Sequence, residues 1–204
     1  MRTIKKVASH IFIDGFGGMT QGLFATLIIG TMIQQIGLLI GGSTGNVIYL
    51  LGKAAAALTS AGIGVGVAVK YGESPLVTVS AAVAAMVGGY AGKITGGTFF
   101  VDGNAVLAGP GEPLGAFIAA FAGITCGHLV SGKTKVDIIV TPVITIGAGS
   151  VVGLLVGPPI SQMMTGLGSI INWATEQRPF IMGIVVSVVM GMVLTLPILS
   201  LIHI

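Results

Sequence analysis

Apolar runs of about 20 residues, separated by short polar connections, restrict this chain more than any motif in it does. A helix rises 1.5 Å per residue and the hydrocarbon core of a bilayer is about 30 Å thick, so one such run is one crossing. Runs at roughly 19–40, 47–69, 75–92, 113–131, 138–157 and 179–200 reach that length. They predict an all-α polytopic membrane protein of about six transmembrane helices, in one membrane domain over 1–204. Composition agrees, because 53% of the residues are hydrophobic and 7% are charged. A soluble domain carries roughly a quarter charged residues, so this surface has to face lipid. The 34 glycines suit helices in close contact, since association in a bilayer depends on backbone approach. Gly62 with Gly66, and Gly88, Gly92 and Gly96, have small-xxx-small spacing and are read as packing contacts. The single cysteine, Cys126, lies inside an apolar run; no intrachain disulfide is available, and no metal site or cofactor is expected.

The net charge of +3 is spread over short connections, so no nucleic-acid patch is indicated. A cytoplasmic N-terminus places Arg2, Lys5, Lys6, Lys70, Lys133 and Lys135 inside, with Lys93 and Arg178 outside, as the positive-inside rule favours. Met1 to Lys6 resembles the start of a signal peptide, but Asp14 and "DGFGG" interrupt the residues after it and the first apolar run is too long, so no cleaved signal is read. Lys53 falls within the second span near its outer end, where its stem reaches the headgroups.

Two stretches depart from simple spans and loops. "GPPISQMMTGLGSIINWATEQ", 157–177, has Ile160, Met163, Met164, Leu167, Ile170 and Ile171 at helical spacing and Trp173 near its end, which predicts an interfacial helix or one packed over the bundle. Pro158 and Pro159 are expected to break the span before it, and Arg178-Pro179 to start the next. The other stretch, 93–112, contains "FFVDGNAVLAGPGE", with Asp102, Asn104 and Glu112 among apolar residues. It reads either as an external loop or as a re-entrant segment lining a polar cavity, where non-helical backbone survives at membrane depth. Glu112 likewise has two readings, helix-start stabiliser and ligand.

"GHLVSGKT", Gly127 to Thr134, matches the phosphate-loop pattern, but an Ala-rich apolar helix precedes it where that chemistry needs a strand. "TFFVD" imitates the accompanying magnesium motif from the opposite membrane face, so Lys133 and Lys135 are read as a short cytoplasmic loop. No H-E-x-x-H, G-x-S-x-G or cysteine-histidine frame occurs. His128 ends the fourth span, where a bond to a backbone carbonyl competes with a proton-relay or ligand role; His10 and His203 lie in terminal segments.

"FIDGFGGMTQGLFATLIIGTMIQQIG", the "PGEPLGAF" turn and "RPFIMGIVVSVVMGMVLTLP" together resemble enzyme IIC, the membrane permease subunit of bacterial phosphotransferase systems, over roughly residues 1 to 197. The likeness is to the compact branch that includes proteins named as regulators of toxin expression. It implies a bacterial plasma-membrane protein, commonly a homodimer with re-entrant hairpins, that binds a sugar in a membrane cavity. The sugar is phosphorylated by a partner IIB domain supplied through IIA and the carrier protein HPr. On this chain the implied sugar contacts are Glu112 first, then Asn104 and Asp102, with His128 fourth. Ionised carboxylates accept strong hydrogen bonds from hydroxyls, and an amide both donates and accepts. The chain has no phosphorylatable IIB cysteine motif, so IIB and IIA are separate partners and no phosphorylated residue is expected here. After "LTLP" the family leads one to expect further helices; "ILSLIHI" resembles a translated adapter, so a C-terminally truncated fragment, non-native from about 198 to 204, is expected. The rival functions are a non-transporting membrane regulator of the same fold and a polar-solute or ion channel.

Overall fold

The computed structural model describes residues 10–101, 103–107 and 109–175, with isolated positions at 183, 184, 187, 188 and 191. The expected span at 179–200, its Arg178-Pro179 start and the tail at 198–204 lie outside the described residues, apart from those isolated positions. α1 (Ile13–Ile40) is a run of 28 residues, about 42 Å long, with π-wound turns at His10–Gly15 and Phe24–Ile28. Gly41 and Gly42, at φ 66° and 63°, reverse the chain in a left-handed conformation that only glycine adopts without strain. α2 (Gly42–Ala57) then returns along the second half of α1, and α3 (Thr59–Lys70) returns along the first half.

The expected continuous span at 47–69 is a broken one, with α2 and α3 bent by 53° at Leu58. A break frees the last carbonyls of the first helix, which must find donors inside a membrane protein. Each of them does. Ala55 accepts from the Leu58 N–H at 3.2 Å, Ala56 from Thr59 Oγ1 at 2.7 Å, and Ala57 lies 3.3 Å from the Tyr90 hydroxyl, whose single hydrogen it shares with the Gly109 carbonyl.

α4 (Pro75–Gly89) starts with Pro75 in its first turn and Ser74 accepting the Val77 N–H at 3.4 Å. Next come a short α5 (Ala91–Thr95) and a hairpin of β1 (Phe100–Val101) and β2 (Asn104–Ala105), with Phe100 opposite Ala105 and Val101 opposite Asn104. α6 (Pro113–Val130) and α7 (Asp137–Thr175) complete the described chain. Among the described residues, Ile13–Ile40, Pro113–Val130 and Asp137–Ile170 are long and apolar enough to cross a bilayer, and the bent α2–α3 pair is a fourth candidate. The chain is an all-α membrane protein.

α3, α4 and α6 enclose the core, built from Ile63, Val67, Val77, Ala81, Ala120 and Ile124, with Met19 of α1 added to it. Its side chains are small because the backbones nearly touch. A Cβ at Gly22 would lie 2.3 Å from the Gly62 carbonyl, one at Gly18 2.5 Å from that of Gly66, and one at Gly88 2.4 Å from that of Gly115. Gly62, Gly66 and Gly88 are therefore packing contacts of the expected kind. Gly96 is not, because a Cβ there meets only carbonyls of its own turn.

α7 corrects another expectation. In place of a break at Pro158 and Pro159, one helix of 39 residues runs through Pro142, Pro158 and Pro159. Each proline withdraws one N–H from the helix. Contacts on both sides of the proline pair hold the axis: Gly153 sits against Gly88 and Gly157 against Ala91 before it, and Ser161 against Gly92 after it. The stretch from 157 is thus the distal part of α7 and no separate surface helix; Met163, Ile170 and Trp173 are exposed on it.

Candidate functional site

Glu112 occupies the N-cap position of α6 in extended conformation, φ −89° and ψ 112°, yet its side chain makes no capping hydrogen bond. What remains of its helix-start role is attraction to the helix dipole. The turn that carries it is anchored from several sides. Ser60 Oγ donates to the Pro110 carbonyl at 2.9 Å, the Tyr90 hydroxyl donates to the Gly109 carbonyl, and the Glu112 N–H donates to the Gly89 carbonyl at 2.7 Å. Ser60 and Tyr90 are 0% and 1% exposed. Gly111, at φ 76°, sits where a Cβ would come within 2.4 Å of Ser60 Oγ, so both its backbone and its missing side chain are required. A non-helical turn is thereby tied to the α2–α3 break and to the C-terminal end of α4.

Glu112 lines a cleft of about 260 Å³ with Gly89, Gly92, Lys93, Gly111 and Ser161. Past Gly92 and Ser161 it adjoins a second lobe of about 420 Å³, whose lining adds Thr95, Pro158, Gln162 and Thr165. Burial raises the pKa of the Glu112 carboxyl, and the positive charge of Lys93 partly lowers it again. Lys93 Nζ lies 5.3 Å from the centre of the Tyr90 ring, a cation–π contact that keeps the ammonium beside the turn. Burial also raises the Tyr90 pKa, so its hydroxyl stays a donor at neutral pH. The cleft thus offers a carboxylate acceptor, an ammonium donor and hydroxyls within one partly shielded space.

Two of the other expected contacts lie elsewhere. Asn104 is exposed on β2 and is not among the residues lining the cleft; Asp102 lies outside the described residues. His128 is 16 positions beyond Glu112 on α6, roughly 24 Å along the axis. It is bonded to a carboxylate and not to a backbone carbonyl: Nδ1 lies 3.0 Å from Glu73, with the imidazole 71% exposed. At that same end Lys133 Nζ donates to the Leu129 carbonyl at 2.6 Å, and Asp137 accepts from the Gly132 N–H at 2.9 Å. The lysine of the phosphate-loop look-alike therefore caps a helix C-terminus, and it is α6 and not a strand that runs directly into the motif. Reasoning from sequence missed Ser161 and Gln162 in the cleft, and Ser60 and Tyr90 in the anchor. The signal for the first two was present as a polar pair one residue beyond the proline pair of an apolar helix.

The family model described as "Phosphotransferase system, EIIC" matches residues 13–202. No curated protein and no solved structure matches significantly.

Proposed function

The chain belongs to the phosphotransferase system EIIC family, the sugar permease subunits that work with other phosphotransferase components, and on that premise we propose that its sugar is held in the cleft beside Glu112. The carboxylate accepts hydrogen bonds from sugar hydroxyls, while Lys93 and Ser161, which line the same cleft, donate. One observation carries this reading: Glu112 heads a helix without capping it, on a turn fixed by the buried donors Ser60 and Tyr90. A residue serving only the helix start would turn its oxygens to the first N–H groups. Here the side chain is left to a ligand.

The same reading has the sugar cross the membrane through this subunit and receive its phosphate from a separate IIB chain charged by IIA. Nothing adds Asn104 or His128 to the cleft. The protein is proposed to be a homodimer in the bacterial plasma membrane with a cytoplasmic N-terminus, which puts the Glu112 turn at the outer end of α6. Vesicles carrying the protein, supplied with IIA, IIB, HPr, enzyme I and phosphoenolpyruvate, test it. At least one sugar of a panel is taken up and phosphorylated, and Glu112→Gln abolishes this. Wild-type-like phosphorylation by Glu112→Gln removes the residue from the site. No phosphorylation of any sugar favours the regulator, and conduction without phosphoenolpyruvate favours the channel.

A further inference from the structure

The two lobes that meet at Gly92 and Ser161 differ in chemistry. Around Glu112 and Lys93 both signs of charge are present. In the second lobe no described lining residue is charged, and Thr95, Ser161, Gln162 and Thr165 supply hydroxyls and an amide. Thr95 Oγ1 donates to the Ala91 carbonyl and Thr165 Oγ1 to the Ser161 carbonyl, each at 2.9 Å. With their hydrogens committed, these two hydroxyls have only lone pairs left to offer, so they accept from ligand O–H groups. Gln162 is exposed toward this lobe and can both donate and accept. A phosphate or carboxylate placed there would find no counter-charge, whereas a neutral polyol meets suitable partners.

Size points the same way. A hexose ring occupies on the order of 200 Å³ at the packing density of protein interiors, and the lobes measure about 260 and 420 Å³. Gly92 and Ser161 line both lobes and touch each other, since a Cβ at Gly92 would lie 2.7 Å from Ser161 Oγ. They form the ridge that a ligand occupying both lobes crosses, and a side chain at Gly92 would raise it.

We propose that the cleft takes an uncharged two-ring sugar, with one ring at Glu112 and Lys93 and the other among Thr95, Gln162 and Thr165. This rests on the assignment of the cleft to a sugar, and the experiment separates the two claims. Binding to the full chain in lipid nanodiscs is measured by calorimetry with glucose, galactose and mannose, and with cellobiose, lactose and maltose. The expected result is a disaccharide that binds at least about tenfold more tightly than its component monosaccharide. Gln162→Ala and Thr165→Val each reduce that preference by about three- to tenfold, and Gly92→Ala reduces it by raising the ridge between the lobes. Glu112→Gln weakens binding of whichever sugars bind. A monosaccharide binding as tightly as every disaccharide overturns the two-ring proposal and leaves the cleft assignment standing, as does a preference untouched by Gln162→Ala and Thr165→Val. Absence of binding by all six sugars, or full affinity in Glu112→Gln, overturns both.

Discussion

Tyr90→Phe removes one oxygen from the anchor of the Glu112 turn and leaves the ring against Lys93 and Phe99. The lost hydroxyl donates to the Gly109 carbonyl and lies 3.3 Å from that of Ala57, in a side chain only 1% exposed. A buried hydrogen bond is worth about 1 kcal/mol net, and an acceptor orphaned by its removal costs about 1–3 kcal/mol. Gly109 is exposed, so water recovers part of that loss. The Ser60–Pro110 and Glu112–Gly89 bonds still hold the turn. The net effect is about 1–2 kcal/mol, and where the bound state bears it the sugar affinity falls about 5- to 30-fold. Calorimetric titration of the purified protein in nanodiscs reads this directly, with thermal unfolding as the control for folding. A purely structural role lowers the unfolding temperature alone. A positioning role also moves the pH dependence of binding, because a loosened turn carries Glu112 toward water and its pKa toward the ordinary carboxylate value. Ser60→Ala acts on the same turn, so the double variant costs less than the sum of the singles. Wild-type affinity and an unshifted pH profile in a folded Tyr90→Phe protein would refute the anchoring argument.

Three further outcomes are expected. The ionised form of Glu112 accepts sugar hydroxyls and burial raises its pKa, so affinity is full at high pH and is lost as pH falls through a midpoint above the ordinary value of 4.5. Lys93→Ala removes the opposing charge and moves that midpoint higher; a downward move in a pH series of dissociation constants contradicts the sign. Gly22→Leu forces a side chain into the Gly62 carbonyl, 2.3 Å from the position of the first added atom, and destabilises the α1–α3 contact by about 1–3 kcal/mol in denaturant unfolding. His128→Ala leaves the Glu73 carboxylate, only 9% exposed, without its imidazole partner, costs about 1–3 kcal/mol of stability and leaves sugar affinity unchanged within about twofold; a larger loss in the same titration returns His128 to the site.

Apolar run length was enough to place most helices. Residues 113–131 are expected as a span and α6 is Pro113–Val130, because Pro113 and the Gly132 turn close it at both ends. Where prolines were read as stops the expectation failed: contacts of Gly157 with Ala91 and of Ser161 with Gly92 hold α7 on either side of Pro158 and Pro159, and a one-dimensional pattern holds no record of them. The break at Leu58 was equally hidden, since its freed carbonyls are met in part by Tyr90, distant in sequence. At the site, Glu112 stood out as a carboxylate beside a glycine-proline turn in apolar chain. Ser161 was concealed within an apolar stripe, because joining it to Glu112 requires the α5–α7 contact. His128 shares the helix of Glu112 but not its end, a separation obtained by counting residues along the span.

A photoactivatable disaccharide, cross-linked to the full chain in nanodiscs and mapped by peptide mass spectrometry, tests the sugar cleft most directly. Adducts that unlabelled sugar competes away are expected on 109–112 and on 158–165, and to be lost in Glu112→Gln. Competable adducts confined to the opposite end of α6, around His128 and Glu73, would contradict the account.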